Sequence, residues 1–131
     1  MEVKKLSKIL YAEDDADIKT IVSHVFELLT DFEVKACENG KQVLDSLDDF
    51  CPDLLILDVM MPEMDGLTAY KHIIRDDRWV NLPVIFMTAK AQFHEIETLK
   101  RDGAVNIITK PFDPMELPGQ IQSIWEACCA K

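Results

Sequence analysis

The chain has 131 residues, about the length of one domain, and can enclose a sizeable core. Hydrophobic residues make up 48% of it and charged residues 29%, proportions typical of a globular protein in water. The formal net charge of −10 argues against direct binding to nucleic acid, which needs a basic surface, and against anionic membranes. Neither a membrane-spanning run of about 18 apolar residues nor a signal-peptide core occurs, so a cytoplasmic location is expected.

The first half of the chain alternates between strand and helix patterns. A compact apolar segment in residues 7–12 predicts a first strand, and apolar residues at three- and four-residue steps in 18–29 predict a one-sided helix. Residues 32–37 alternate like a second strand. A turn at Asn39-Gly40 then leads into a short second helix that contains Val43, Leu44 and Leu47.

The central stretch is Leu54-Leu55-Ile56-Leu57, which suits a strand buried on both faces of a parallel sheet. Asp58 follows directly, at the strand end where open α/β sheets place their ligand crevices. Because Pro62 and Gly66 turn the chain outward after it, we expect Asp58 to be exposed. A single Asp at this position more often just ends a strand, so Asp58 alone does not establish a site.

The second half continues the alternation. A third helix is predicted over 67–74, a fourth strand over 84–87 that ends on Thr88, and a fourth helix over 93–99. A fifth strand over 104–109 ends on Lys110. The last helix contains Pro118, so its regular part is predicted to begin only at Leu117 or Pro118.

Five strand–helix units predict an α/β fold with a doubly wound, flavodoxin-like, five-stranded parallel sheet and right-handed crossovers. With the strand order 2-1-3-4-5, the ligand crevice lies between the first and third strands. No linker or output domain is recognisable. We therefore expect residues 1–131 to form a single domain with its core at about 7–128.

Four strand ends carry chemically useful groups. Glu13 and Asp14 follow the first strand and Asp58 follows the third, and three crowded carboxylates need a cation or a proton. Oxygen ligands without histidine or cysteine favour Mg²⁺, or Mn²⁺, over zinc. Thr88 and Lys110 could hold an anion above Asp58. This combination suits phosphoryl transfer with Asp58 as nucleophile.

Each of these residues also has a simpler role. Asp14 or Asp15 could cap the first helix, Thr88 could cap the fourth, and Lys110 could be a surface residue. Taken singly, each simpler role is the more common one. The coincidence of suitable groups at all four strand ends favours a phosphoryl-transfer site.

The sequence resembles the receiver domain of two-component response regulators, of the chemotaxis-regulator type, over essentially the whole chain. Four motifs carry the resemblance: Ile9-Leu10-Tyr11-Ala12-Glu13-Asp14-Asp15, Leu57-Asp58-Val59-Met60-Met61-Pro62 with Asp65-Gly66, Met87-Thr88-Ala89, and Thr109-Lys110-Pro111-Phe112. The resemblance implies that Asp58 accepts a phosphoryl group from a histidine kinase or a histidine phosphotransfer protein. It also implies a cis peptide bond between Lys110 and Pro111.

The resemblance further implies which residues hold a metal ion and which contact the phosphoryl group. Mg²⁺ would be held by Glu13, Asp14, Asp58 and the backbone carbonyl of Met60. The phosphoryl oxygens would be contacted by Thr88, by the backbone N–H of Ala89 and by Lys110. The protein would catalyse only its own phosphorylation and dephosphorylation, without turning over an external metabolite.

One position departs from the family pattern. The family usually has Tyr or Phe three residues before the lysine, as part of its switch with the threonine, and here that residue is Ile107. Thr88 could still move toward a phosphoryl group, but no ring can rotate inward behind it. We expect phosphorylation to alter the surface of the fourth helix, fifth strand and fifth helix, and so the binding of a downstream protein not identified by the sequence, with homodimerisation one option.

The lifetime of the phosphorylated form is a separate hypothesis. Met60 and Lys90 flank the expected entry for attacking water, and both side chains are long. We therefore expect slow self-dephosphorylation relative to proteins with small polar residues at these positions.

Three other functions remain open. A receiver-shaped module could bind partners without using phosphate. A Mg²⁺-dependent aspartyl phosphatase of the dehalogenase type normally has a second acid two residues after its nucleophile, where this chain has Met60. An FMN carrier shares the topology, but Glu13-Asp14-Asp15 would repel the flavin phosphate.

Overall fold

The computed structural model describes residues 5–88 and 105–129, which form a parallel sheet and the helices around it. The elements are β1 (Lys8–Ala12), α1 (Ala16–Leu29), β2 (Glu33–Cys37), α2 (Gly40–Phe50), β3 (Leu54–Asp58), α3 (Gly66–Ile73), β4 (Val84–Thr88), β5 (Val105–Thr109) and a C-terminal helix (Leu117–Cys129). The predicted fourth helix over 93–99 lies outside the described residues.

The sheet has the predicted order β2-β1-β3-β4-β5, and all of its strand pairs are parallel. The doubly wound, flavodoxin-like α/β fold is therefore confirmed. Ala12 pairs with Leu57 in the β1–β3 ladder, and Asp58 pairs with Met87 in the β3–β4 ladder. This register brings the residue that follows β1, Glu13, beside the end of β3.

Two apolar clusters cover the two faces of the sheet. Leu55 and Leu57 belong to the cluster under α2 and α3, whereas Leu54 and Ile56 belong to the cluster under α1 and the C-terminal helix. All residues of β3 are buried. The central strand is thus dry on both faces, as its continuous apolar run predicts.

Local signals determine where the helices begin and end. The regular part of the C-terminal helix begins at Leu117, so the prediction from Pro118 is confirmed. Cys51 ends α2 in the left-handed conformation, with φ of 52°.

Within the described part of the chain, no helix is long and apolar enough to cross a membrane.

Candidate phosphoacceptor site

Three carboxylates meet where β1 and β3 end. Glu13, Asp14 and Asp58 each offer one oxygen atom to a group in which all three atoms lie within 4.8 Å of one another. Glu13 and Asp58 are buried, and Asp14 is exposed. The donors are all hard oxygen atoms, a set that fits Mg²⁺ and does not favour zinc.

Asp58 is more enclosed than the sequence indicates. Only 4% of the residue is exposed, so the expectation of an exposed Asp58 is wrong. Lys110 covers it, with Nζ 3.0 Å from Oδ2, and the backbone N–H of Met60 donates to Oδ1 at 3.3 Å. The turn after β3 therefore folds back over the carboxylate, which keeps a charged group satisfied in a buried position.

Lys110 joins two of the acids. Its Nζ lies 3.0 Å from Asp58 Oδ2 and 3.3 Å from Glu13 Oε1, and its backbone N–H donates to Thr88 O at 2.8 Å. Burial lowers the pKa of this ammonium, but the hydrogen bond and charge of Asp58, with those of Glu13, outweigh burial and raise it overall. Lys110 is therefore a cation at neutral pH. The Lys110–Pro111 bond is cis, as the resemblance implies.

Glu13 is a buried carboxyl beside another acid. Burial, followed by the hydrogen bond and charge of Asp58, raises the pKa of Glu13 to about 8, and the charge of Lys110 only partly offsets this. One ammonium therefore does not neutralise the cluster in the described structure. A divalent cation would favour the ionised form of Glu13.

The structure separates two neighbouring acids that the sequence leaves equivalent. Asp15 caps α1, because its side chain accepts hydrogen bonds from the N–H groups of Asp17 and Ile18 at 2.9 and 3.2 Å. Asp14 belongs instead to the carboxylate group. Glu13 also accepts from the N–H of Asp15, at 3.3 Å.

A cavity of about 400 Å³ opens above the carboxylates. Thr88, at the end of β4, is 1% exposed and lines this cavity together with Lys110. The side chain of Met60 is 65% exposed at its rim. The structure thus brings together the predicted residues of all four strand ends, whereas Ala89 lies outside the described residues.

Ile107 lies apart from the cavity, in the middle of β5. It is half-buried, pairs with Phe86 of β4, and packs against the apolar cluster under α2 and α3. Phe86 in turn meets the ring of Tyr70 edge to face, with centroids 5.5 Å apart. The aromatic groups behind the end of β4 therefore come from α3 and β4, and β5 contributes an aliphatic side chain there.

Sequence reasoning missed two features near this site. The sequence predicts only a turn at Asn39, yet its side-chain amide donates to Glu63 Oε2 at 3.2 Å in the loop after β3. The sequence predicts only a strand residue at Tyr11, yet its buried hydroxyl has no hydrogen-bond partner among the described residues. No short-range pattern indicates the first contact, because the two residues lie 24 positions apart.

This fold and site define a class of signalling protein. Residues 9–122 match the family described as the response regulator receiver domain, so the chain belongs to that family. Receiver domains of this family are signalling modules of two-component systems, generally without enzymatic turnover of other substrates.

Individual relatives agree with this membership. The regulatory protein AtoC of Escherichia coli strain K12 is 35% identical over 112 residues, which are 86% of this chain and 24% of that protein. The phosphate regulon transcriptional regulatory protein PhoB of the same strain is 32% identical over 117 residues, 89% of this chain and 51% of that protein. The chain thus spans about half, or less, of the length of these curated relatives.

Solved structures agree on the fold. The chemotaxis response regulator CheY4 of Vibrio cholerae is similar with a TM-score of 0.79 at 24% identity, covering 92% of this chain and 99% of that one. The signal receiver domain of a signal transduction histidine kinase from Syntrophus aciditrophicus has a TM-score of 0.79 at 25% identity, covering 92% and 91% of the two chains.

Proposed function

We propose that this protein is a phosphorylatable signalling receiver in which Asp58 is the phosphoacceptor. The observation that carries the proposal is the group of three carboxylate oxygens within 4.8 Å, with Lys110 Nζ 3.0 Å from Asp58. The proposed donor is a phosphohistidine on a histidine kinase or a histidine phosphotransfer protein. An oxygen of Asp58 attacks phosphorus, the N–P bond breaks, and the imidazole leaves with that electron pair.

The chain's own residues position and neutralise the reacting groups. Glu13, Asp14, Asp58 and the Met60 carbonyl would hold Mg²⁺, which supplies positive charge for the phosphoryl oxygens when it is bound. Lys110 supplies a second positive charge on the Asp58 side, and Thr88 and the Ala89 N–H would contact the remaining oxygens. Most of the rate enhancement would come from this positioning and charge neutralisation.

The proposed output is a change in partner binding. Phosphorylation would act through Thr88 and β5, where Ile107 lies, on the surface that β5 and the C-terminal helix share with the predicted fourth helix. The downstream protein, a phosphorylation-dependent dimer and the cytoplasmic location belong to this proposal. So does the assignment of residues 1–131 to one receiver domain.

Two alternatives are weaker for specific reasons. A dehalogenase-type phosphatase needs a second acid where Met60 stands, and that side chain is 65% exposed at the cavity rim. A phosphate-independent receiver-like module would not need Lys110 within 3.0 Å of a buried Asp58, because desolvating such a pair costs stability.

Intact mass after incubation with acetyl phosphate tests the proposal. Wild type should gain one phosphoryl group, about 80 Da, only when Mg²⁺ is present, and Asp58→Asn should gain none. Because a cognate phosphohistidine donor could be required, a panel of phosphorylated histidine phosphotransfer proteins serves as the second donor. If neither donor modifies Asp58, the phosphate-independent module becomes the better explanation.

A further inference from the structure

We propose that Asn39 is a positioning residue for the loop of residues 59–65, which carries the Met60 carbonyl, and that it acts through Glu63. The inference rests on the proposed function, because it assigns to this contact an effect on Mg²⁺ binding. Asn39 lies at the N-terminus of α2 and touches none of the three carboxylates in the described contacts.

Asn39 makes two hydrogen bonds with opposite ends of one amide. Its Oδ1 accepts from the N–H of Gln42 at 2.8 Å, which caps α2. Its Nδ2 donates to Glu63 Oε2 at 3.2 Å, in the loop after β3. Asn39 is only 7% exposed, so both ends of the amide are needed to satisfy a buried polar group. A cap alone would need only the oxygen.

The backbone next to Asn39 forms a second contact with the same loop. The N–H of Gly40 donates to Met64 O at 2.9 Å. A Cβ at Gly40 would lie 2.7 Å from that oxygen and 2.9 Å from Ala69 Cβ, so the close approach requires a glycine here. The start of α2 is therefore held tightly against the loop at two adjacent residues.

The loop itself adopts a conformation that needs support. Glu63 has φ of 63°, in the left-handed region that a residue with a Cβ adopts at a cost. Its carboxylate is the group that Asn39 holds. The hydrogen bond therefore favours this conformation at the residue where the loop reverses direction.

The other end of the loop is anchored at the phosphoacceptor strand. The N–H of Gly66 donates to Val59 O at 3.0 Å, and a Cβ at Gly66 would overlap Asp58 O. Met60 lies between Val59, which Gly66 holds, and Glu63, which Asn39 holds. Loosening the Glu63 end therefore gives the Met60 carbonyl more freedom, and a metal ligand that must first be ordered binds its ion more weakly.

Asn39→Asp separates this role from simple capping. Asp is as good a helix cap as Asn, so α2 keeps its cap, but the amide donor is replaced by a second carboxylate facing Glu63. The added negative charge alone would strengthen Mg²⁺ binding. A loss of affinity in this variant therefore has the opposite sign from the electrostatic effect of the substitution.

The experiment measures Mg²⁺ affinity by isothermal titration calorimetry and the rate of acetyl phosphate labelling, well below the unfolding temperature. We expect Asn39→Asp to weaken Mg²⁺ binding by about tenfold, the low end of the effect of losing a group that orients a metal ligand. The double variant Asn39→Asp/Glu63→Gln reverses donor and acceptor at unchanged net charge and should restore both values. Asn81→Asp adds the same charge at an exposed turn before β4, at the opposite ends of the strands from the three carboxylates; it controls for the change in net charge and should bind as wild type.

The outcomes distinguish the inference from the function on which it rests. If wild type bound no Mg²⁺ and accepted no phosphoryl group, the proposed function and this inference would both fall. If wild type did both and Asn39→Asp matched it in Mg²⁺ affinity and labelling rate, whatever its unfolding temperature, the contact with Glu63 would be structural only and the positioning role would fall. Failure of the double variant to recover would likewise overturn the positioning role.

Discussion

At the scale of single residues, the raised pKa of Glu13 predicts how stability depends on pH. Burial and Asp58 raise this pKa from an ordinary value near 4.5 to about 8 in the folded protein. Between these two values the unfolded chain has lost its proton while the folded chain retains it. Folding is therefore favoured at low pH and weakens as pH rises, by at most about 1.4 kcal/mol per pH unit from this group.

Glu13→Gln provides the control for this prediction. Denaturant unfolding without divalent cations, measured from pH 5 to pH 8, should show a steeper loss of stability for wild type than for the variant. Glutamine does not titrate, so it removes only the contribution of this carboxyl. Equal slopes for the two proteins would mean that Glu13 ionises normally and that Lys110 neutralises it in full.

A second prediction for a single residue concerns Met60 and the lifetime of phosphorylated Asp58. The sequence predicts that Met60 and Lys90 hinder attacking water, and Met60 lines the cavity with 65% of the residue exposed. Lys90 lies outside the described residues. We expect Met60→Asn to shorten the lifetime of phosphorylated Asp58 severalfold, because a small amide can orient water that a thioether excludes.

Phosphoryl loss after removal of the donor, followed by intact mass, measures this lifetime. Met60→Leu is the matched variant, since it keeps an apolar side chain of similar volume and should decay as wild type does. A Met60→Asn protein that decayed at the wild-type rate would show that water reaches the site by another path.

At the scale of secondary-structure elements, Asp14 and Asp15 should have separable effects. Asp15 caps α1 through two backbone N–H groups, so Asp15→Ala should lower the free energy of unfolding by about 1 kcal/mol. Asp14→Ala removes a metal-site oxygen and no cap, so it should abolish most Mg²⁺ binding and leave metal-free stability unchanged or higher.

Urea unfolding and calorimetric Mg²⁺ titration of both variants check this pair. Removing a carboxylate from a crowded group relieves repulsion, which is why metal-free Asp14→Ala is not expected to be less stable. A large stability loss in Asp14→Ala, together with normal Mg²⁺ binding, would assign the two acids the other way round.

Some features of the helices and strands could be predicted from neighbouring residues in the sequence alone. Apolar runs placed β3 and β4 correctly, because burial on a strand follows directly from residue spacing. On α1 the same reasoning was correct for Val22, Val25 and Phe26, which are buried, and wrong for Ile21 and Leu29, which are about half exposed. The choice between Asp14 and Asp15 as the cap was left open, because it depends on one residue of register at the start of α1. Pro118 made the start of the C-terminal helix predictable, because a proline ring fits the first turn of a regular helix but not its interior.

At the scale of the whole molecule, the topology of the sheet could be predicted from the sequence, but the burial of Asp58 could not. Strand–helix alternation limits an open parallel sheet to few orders, and the crevice follows from the order. The burial of Asp58 depends instead on Lys110, which lies 52 positions away, and on the loop braced by Asn39. Such contacts form only once the sheet has brought distant strand ends together, so residue spacing does not encode them.

A phosphoryl group on Asp58, at the end of the central strand, should change the surface beyond β5 at the edge of the sheet. Thr88 O accepts from the Lys110 N–H at 2.8 Å, so the end of β4 is directly tied to the residue that follows β5. Ile107 pairs with Phe86 in the same ladder and packs beside it. A movement of Thr88 toward a bound phosphoryl oxygen would therefore strain the β4–β5 ladder even without an aromatic ring at Ile107.

Amide hydrogen exchange with and without beryllofluoride, in the presence of Mg²⁺, measures this coupling. We expect altered protection in Val105–Thr109 of wild type and no change in Asp58→Asn, which cannot form the phosphoryl analogue. Protection in β2, at the opposite edge of the sheet, should stay constant and reports any general stabilisation by ligand. Unchanged exchange in β5 with the analogue bound would show that Ile107 uncouples the site from this surface, and the partner-binding change would have to arise at the cavity rim itself.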